Sequence, residues 1–85
     1  MKSYKTNEVV SIARPTAGAK LGSVGVVVET KDIPEETYKG FCSLLRDSDA
    51  MDIWQDFVPV VFFDAHSLDG FYHKNTLRSV APVSE

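Results

Sequence analysis

The hydrophobic residues of this chain fall in short runs rich in Val, Ile and Phe, a pattern typical of strands in a small β domain. Segments 8–13, 24–30 and 57–63 are such runs, and proline or aspartate follows each of them closely. Residues 71–74 and 78–83 predict two shorter strands. The pattern therefore predicts five strands.

One segment departs from this pattern. Residues 32–56 separate the second and third predicted strands, and they predict an α-helix that begins near Pro34 and ends near Arg46. Asp32 is the expected N-cap of this helix. The apolar residues at helical spacing are Tyr38, Phe41, Leu44 and Leu45.

The order of these elements indicates a small, mostly β, five-stranded SH3-like barrel with the helical segment 32–56 inserted. A long loop follows the first strand, and one helical turn precedes the last. Gly25 predicts a bulge or a close backbone approach, which strongly bent strands need. An 85-residue chain has room for one domain, so residues 1–85 are expected to form a single SH3-like barrel domain.

Charge is distributed unevenly along the chain, whose net charge is −3. Residues 1–28 carry four basic residues against one acid, whereas residues 29–69 carry ten acids against three basic residues. Two interpretations remain open: a solvated acidic face, or a docking surface where charge speeds and orients association.

The composition favours a cytoplasmic location. Cys42 is the single cysteine, so an intramolecular disulfide is excluded. No stretch approaches the roughly 18 apolar residues of a membrane span, and the N-terminus lacks the apolar core of a signal peptide.

Several stretches of the chain follow a known pattern. Residues 9–15 read Val-Val-Ser-Ile-Ala-Arg-Pro, and residues 22–27 read Gly-Ser-Val-Gly-Val-Val. Residues 58–63 read Val-Pro-Val-Val-Phe-Phe and lead through Phe71 to Leu-Arg-Ser-Val at 77–80. These motifs resemble the accessory SH3-like subunits of photosynthetic electron transfer, namely the E subunit of photosystem I and the variable chain of ferredoxin–thioredoxin reductase.

This resemblance excludes the inserted segment 32–56, which is not part of the pattern. It implies a non-catalytic docking or stabilising subunit of a larger redox complex. The resemblance implies a fold and a class of partner, and it implies no catalytic residues.

A metal site at the fourth strand is one hypothesis. Asp64, His66, Asp69 and His73 are brought together by the predicted hairpin, whose turn closes on the favoured dipeptide Asp-Gly. The chain has no Cys-x-x-Cys motif. The alternative interpretation is that Asp64 and Asp69 cap a tight turn while His66 lies in solvent.

Other chemical motifs are incomplete, and no catalytic residue, cofactor or metal is predicted. Asp47, Asp49 and Asp52 do not fit a calcium loop, which requires a glycine and a final glutamate at fixed positions. Cys42 lies in the middle of the predicted helix beside apolar neighbours, away from a helix N-terminus or a base that would activate a nucleophile, so a structural role is expected. The chain is therefore not expected to be an enzyme.

Six residues are candidates for partner binding. Trp54 is either an anchor that holds the inserted segment on the barrel or a binding hot spot. The others combine basic, aromatic and imidazole side chains of the kind that bind nucleic acid: Arg14, Lys20, Tyr72, His73 and Lys74.

The predicted function is a non-enzymatic protein-interaction module, an accessory or docking subunit of a larger assembly, which the resemblance implies is a redox complex. The predicted contact surface combines loop 14–23, segment 32–56 and hairpin 64–74. The alternative is a nucleic-acid-associated barrel, transcription-related or phage-encoded, although the acidic net charge opposes phosphate binding. A third hypothesis is a regulatory domain that binds a small molecule or metal.

Overall fold

The computed structural model describes residues 4–80, which form a five-stranded antiparallel sheet and one α-helix. The strands are β1 (Val9–Ile12), β2 (Val24–Val27), β3 (Phe57–Phe62), β4 (Gly70–His73) and β5 (Leu77–Ser79). The helix, α1, spans Glu35–Asp47, and short 3-10 helices span Thr30–Asp32, Met51–Asp56 and Lys74–Thr76. The mostly β class is confirmed, as is the helical insertion between the second and third strands.

The strands lie in the order β4-β3-β2-β1-β5, and every neighbouring pair is antiparallel. The first four strands form a meander, so the β1–β2 loop (residues 13–23) and the β3–β4 loop (residues 63–69) lie at the same end of the sheet. The β2–β3 connection, which contains α1, joins the sheet at the other end. Within residues 4–80, β4 and β5 are edges that do not pair with each other, so the sheet is open.

A single core nevertheless joins the two edge strands. Tyr72 of β4 and Leu77 of β5 belong to one buried cluster, although three strands separate them in the sheet. The sheet must therefore curve strongly, as the right-handed twist of strands allows. The other members of the core come from the inward-facing positions of β1, β2 and β3: Val10, Ile12, Val27, Val60 and Phe62.

Gly25 lies where β2 passes closest to β3. It is paired with Phe62 on one side and Val10 on the other. A Cβ atom at this position would lie 2.6 Å from the Val61 carbonyl oxygen and 2.9 Å from a methyl carbon of Val60. The expected close backbone approach is confirmed, because only a residue without a side chain fits between the strands.

Gly25→Ala is expected to lower the free energy of unfolding by about 2–3 kcal/mol, since the strands must separate to admit a methyl group. Urea denaturation followed by circular dichroism measures this change. Gly40→Ala is the matched control: nothing lies within 4 Å of the added carbon in α1, so the variant should gain about 0.5–1 kcal/mol from helix propensity. Equal effects of the two substitutions would contradict the role assigned to Gly25.

Pro59 has no backbone N–H to donate, and it lies near the start of β3, where this loss is tolerated. Its carbonyl oxygen accepts a bond of 3.0 Å from the Val28 amide, one residue beyond the end of β2. The proline nitrogen faces Val28 on the same side, so the missing N–H leaves out one bond at the end of the β2–β3 ladder, as expected for a proline near a strand end.

The inserted segment attaches to the sheet through an aromatic layer made of Tyr38, Phe41, Trp54, Phe57 and Phe71. Ring centroids of Phe41 and Phe71 lie 5.0 Å apart in a stacked arrangement, and Trp54 lies 5.3 Å from Phe71. Phe71 is buried against α1, whereas its neighbour Tyr72 faces the core on the opposite side of β4. Trp54 thus makes the contacts with β4 that its interpretation as an anchor requires.

Two details of the predicted helix are wrong. Asp32 does not cap α1, because it lies in the preceding 3-10 helix, where its carboxylate accepts a 3.2 Å bond from the Glu29 amide. Pro34 occupies the N-cap position instead, without a side-chain bond. Leu44 is 61% exposed, so the packed stripe of α1 runs through Phe41 and Leu45 without it.

Trp54→Ala is expected to cost about 2 kcal/mol or more of unfolding free energy, because the layer loses its largest ring. Phe63→Ala is the matched control, since this exposed ring belongs to neither the layer nor the core, and it should change stability by less than about 0.5 kcal/mol. Chemical denaturation compares the two. A stable Trp54→Ala protein that binds its partner weakly would favour the hot-spot interpretation instead.

Candidate functional site

Direct hydrogen bonds join the β1–β2 loop and the β3–β4 loop into one unit. The Ser67 hydroxyl accepts a 2.8 Å bond from the Lys20 amide and lies 2.7 Å from the Ser23 hydroxyl. The Leu68 amide donates a 2.7 Å bond to the Gly18 carbonyl oxygen. Both serines are buried, so these bonds are shielded from water. The two loops therefore hold each other in place.

The β1–β2 loop continues the register of its strands further than the sequence indicated. Thr16 pairs with Ala19 in the same register that pairs Val10 with Gly25. Gly18 closes the turn between them with φ of +89°, a conformation that favours glycine. A second turn follows at Gly22, whose φ is +90°, and the Ser23 amide closes it with a 3.0 Å bond to the Lys20 carbonyl oxygen. The predicted irregular loop is thus a folded hairpin extension.

The β3–β4 loop is closed by aspartate side chains. The Asp69 carboxylate accepts a 2.8 Å bond from the Phe62 amide, and the Asp64 carboxylate accepts a 2.8 Å bond from the His66 amide. His66 is exposed. The turn-capping interpretation of Asp64 and Asp69 is confirmed.

The predicted Asp-Gly turn is wrong. Gly70 already lies in β4, opposite Val60, and its φ is not positive. The Asp69 side chain supplies the closing bond that a backbone turn would have made. Within residues 4–80, no group of three or more His, Cys, Asp or Glu side chains is arranged to hold a metal ion.

The joined loops expose three large apolar side chains. Leu21 of the β1–β2 loop is 59% exposed, and Phe63 and Leu68 of the β3–β4 loop are 66% and 71% exposed. Alternation along β3 places Phe62 in the core and turns Phe63 outward. Together with Arg14 and Lys20, these three residues define the loop-junction surface. A small domain gains nothing in stability from apolar side chains held in water, so this surface is the candidate binding site.

The basic residues of the loop-junction surface are available to a partner. Arg14 and Lys20 are exposed, and neither forms an ion pair within the part of the chain that the structure describes. The carboxylates of Asp64 and Asp69 in the β3–β4 loop accept bonds from backbone amides and keep their negative charge. The joined loops therefore present exposed apolar side chains together with two cations and two carboxylates.

Tyr72 is not part of this surface, and the prediction that it is an exposed binding residue is wrong. Only 5% of the residue is exposed, because its ring packs in the core against Phe62 with centroids 5.4 Å apart. Its hydroxyl donates a hydrogen bond to the Leu68 carbonyl oxygen. Tyr72 thus holds the β3–β4 loop from the core side, and its buried ring cannot stack on a base.

Burial raises the pKa of Tyr72 above the ordinary tyrosine value, and the charge of Asp69 adds to this effect. The folded-state pKa therefore exceeds the unfolded one. The stability contributed by the neutral hydroxyl is fully present below about pH 10 and is lost as the pH rises through the raised pKa.

Tyr72→Phe is expected to cost about 1 kcal/mol at neutral pH, since the Leu68 carbonyl loses its donor. Above about pH 10 the difference between the two proteins should shrink, because only the native protein carries this ionisable group. Urea titrations across the alkaline range measure both effects, and the other tyrosines are common to both proteins. A difference that stays constant with pH would contradict the assignment.

His73 and Lys74 have structural partners. The His73 ring accepts a 3.1 Å bond at Nδ1 from the Asn75 amide and lies 5.2 Å from the Phe57 ring. The Lys74 ammonium lies 3.2 Å from an Asp56 carboxylate oxygen, and both side chains are half-buried. These contacts fasten the start of the β4–β5 connection to the inserted segment, whereas the Thr76 carbonyl oxygen at its end accepts a 2.7 Å bond from the Ala13 amide, just beyond β1.

An open groove of about 680 Å³ lies at the end of the sheet where the β2–β3 connection joins it. Its lining includes Tyr4, Pro59 and the Lys74–Asp56 ion pair. The Tyr4 hydroxyl donates a 3.0 Å bond to the Leu77 carbonyl oxygen. Three of the polar groups that line this groove therefore already have partners within the chain, and the groove is a weaker candidate than the loop-junction surface.

The structure separates the six predicted binding residues. Arg14 and Lys20 are both exposed in the β1–β2 loop, whereas the other four take part in the aromatic layer, the core or the β4–β5 connection. Of the predicted contact surface, the loops around 14–23 and 64–69 are joined by hydrogen bonds. Segment 32–56 packs against β4 through its aromatic residues instead.

Sequence reasoning missed the three exposed apolar residues, although two signals were present. Strand alternation from Phe62 turns Phe63 outward, and Leu21 stands alone in a loop of glycine, lysine and serine. Only the folded chain shows that Leu68 belongs with them.

Comparisons with protein-family models, curated proteins and solved structures return no match to this chain. No helix within residues 4–80 is both long and apolar enough to cross a membrane.

Proposed function

We propose that this chain is a protein-interaction module with an SH3-like, partly open barrel, and that it docks on a protein partner through the loop-junction surface. The observation that carries the proposal is the exposure of Leu21, Phe63 and Leu68 on two loops that are hydrogen-bonded to each other. Apolar side chains on a rigid support are what a protein interface buries at its centre.

Three features of the sheet support the barrel assignment. The fifth strand returns beside the first, a 3-10 turn at Lys74–Thr76 precedes it, and the two edge strands share one core through Tyr72 and Leu77. This is the element order that the sequence predicted for an SH3-like barrel. Such small barrels present their loops as binding surfaces while the strands supply a fixed frame.

The chemistry of the surface favours a protein over a nucleic acid. Two of its three apolar side chains, Leu21 and Leu68, are aliphatic and offer no ring for base stacking. Tyr72 is buried and Lys74 is paired with Asp56, so two of the residues expected to bind nucleic acid are occupied elsewhere. The net charge of −3 also opposes binding to phosphates.

The partner class is proposed from the resemblance to accessory subunits of photosynthetic electron transfer. In this proposal the chain is a docking or stabilising subunit of a larger assembly, and the electron-transfer chemistry resides in the partner. The proposal assigns no catalytic residue to the loop-junction surface, whose side chains are aliphatic, aromatic or cationic.

Leu21→Ser/Leu68→Ser is expected to abolish capture of the main partner from a native, nuclease-treated lysate, as measured by quantitative mass spectrometry. Loss of two central apolar contacts should weaken binding roughly 100-fold, given about 1–2 kcal/mol for each. Leu44→Ser is the matched control, because this equally exposed leucine lies on α1 and should leave capture unchanged.

Two outcomes would contradict the proposal. One is equal capture by the loop-junction variant and the native protein. The other is a set of captured molecules that disappears when nuclease is added, which would favour the nucleic-acid-associated barrel. A redox enzyme among the proteins lost only from the loop-junction variant would support the resemblance.

A further inference from the structure

We infer that the β1–β2 and β3–β4 loops open and close together as one cooperative unit, while the sheet stays folded. The hydroxyl pair of Ser23 and Ser67 holds this unit, which we call the loop latch, in its closed state. The inference concerns the free protein, and the opening itself does not depend on the proposed function.

The loops have no apolar core of their own. Within residues 13–23 and 63–69, Ser23 and Ser67 are the only buried residues. Ala19 packs against the main core while remaining partly exposed, and the larger apolar side chains of both loops lie in solvent. A region with little buried apolar area opens at a lower free energy than the core of the same protein. The loops should therefore open before the sheet unfolds.

The bonds that close the latch cross from one loop to the other. The Ser67 hydroxyl of the β3–β4 loop accepts a bond from the Lys20 amide and lies 2.7 Å from the Ser23 hydroxyl, both in the β1–β2 loop. The Leu68 amide donates in the same direction, to the Gly18 carbonyl oxygen. Each contact has one partner in each loop, so neither loop can move away without breaking all of them. The opening is therefore expected to be cooperative.

Tyr72 connects the closed latch to the core. Its hydroxyl donates a hydrogen bond to the Leu68 carbonyl oxygen in the β3–β4 loop. Gly18 of the β1–β2 loop lies beside the same hydroxyl, because a Cβ atom at this glycine would lie 3.2 Å from the hydroxyl oxygen. One buried hydroxyl thus contacts both loops, and its loss should weaken the closed state of both.

The latch determines whether the loop-junction surface is assembled. Leu21 belongs to one loop and Leu68 to the other, so opening separates the apolar side chains that the closed state holds together. In a step that rests on the proposed function, a partner that binds both loops binds only the closed state and shifts the equilibrium toward it.

Native-state hydrogen exchange of the full chain, followed by NMR without a partner, measures the opening. The Lys20 and Leu68 amides report on the contacts between the loops, and the Val27 amide, which donates to the Glu8 carbonyl oxygen, reports on the sheet. The two loop amides should have similar protection factors, lower than that of Val27 by roughly 10-fold or more.

Two variants test the cooperativity, each by its effect on the loop that it does not alter. Ser23→Ala removes the partner of the Ser67 hydroxyl and should speed exchange of the Leu68 amide roughly three- to ten-fold. Tyr72→Phe removes the bond to the β3–β4 loop and should speed exchange of the Lys20 amide by a similar factor.

Ser79→Ala is the matched control. It removes a serine hydroxyl that donates a 2.6 Å bond to the Glu8 carboxylate, outside both loops, and it should leave exchange of the loop amides unchanged. The amide spectra of all three variants report whether the sheet remains folded.

The inference is overturned if Ser23→Ala speeds exchange at Lys20 and leaves Leu68 unchanged, because the loops would then move independently. Loop amides that exchange as slowly as Val27 would also overturn it, since the loops would then open only when the whole chain unfolds. Loop amides that exchange as fast as an unfolded chain would show that the latch does not close. None of these results affects partner capture, so the proposed function is tested separately by Leu21→Ser/Leu68→Ser.

Discussion

The contact between β2 and β3 at Gly25 is the constraint on which the rest of the structure depends. With 2.6 Å between the position of a Cβ atom and the Val61 carbonyl oxygen, the strands can approach only because residue 25 has no side chain. This approach lets the sheet curve until its edge strands share one core. The same curvature holds the ends of β1 and β3 close enough for the Ser67 hydroxyl to join their loops.

The aromatic side chains are used almost entirely inside the molecule, which determines what the surface can do. Five of the nine aromatic residues form the layer that attaches the inserted segment to the sheet. Phe62 and Tyr72 lie in the core, and Tyr4 packs against it. Phe63 is the one that remains on the loop-junction surface. The surface therefore combines a single ring with aliphatic side chains, a composition suited to a protein partner rather than to a row of stacked bases.

Local patterns predicted most of the fold. The β-branched runs gave the strands, the helical spacing of Tyr38 and Phe41 gave α1, and the aspartates of the β3–β4 loop were correctly interpreted as turn caps. Strand closure was not predictable, because hydrogen bonding between edge strands depends on curvature rather than on local sequence. The cap of α1 was misplaced for a related reason: Asp32 was drawn into a competing 3-10 turn with Glu29.

The candidate site was predicted only in part because composition does not reveal which face of a strand is covered. Phe71 and Tyr72 face opposite sides of β4, yet both are buried since α1 covers the outer face of this strand. Because the other aromatic and basic side chains pack or pair within the molecule, only Arg14 and Lys20 of the six predicted binding residues remain candidates. No local sequence pattern predicts that the Leu68 amide will bond to the Gly18 carbonyl oxygen and so complete the surface.

A surface built from two loops usually loses affinity to the entropy of ordering them on binding. Here the loops are already ordered by bonds between buried hydroxyls and backbone groups, and Tyr72 supports them from the core through its bond to the Leu68 carbonyl. The conformational entropy of these loops is therefore lost during folding rather than during association. In the proposed docking, three apolar side chains on such a support bind more tightly than their area alone would suggest. The stability of the small core and the strength of the proposed interface are then linked through one residue, Tyr72.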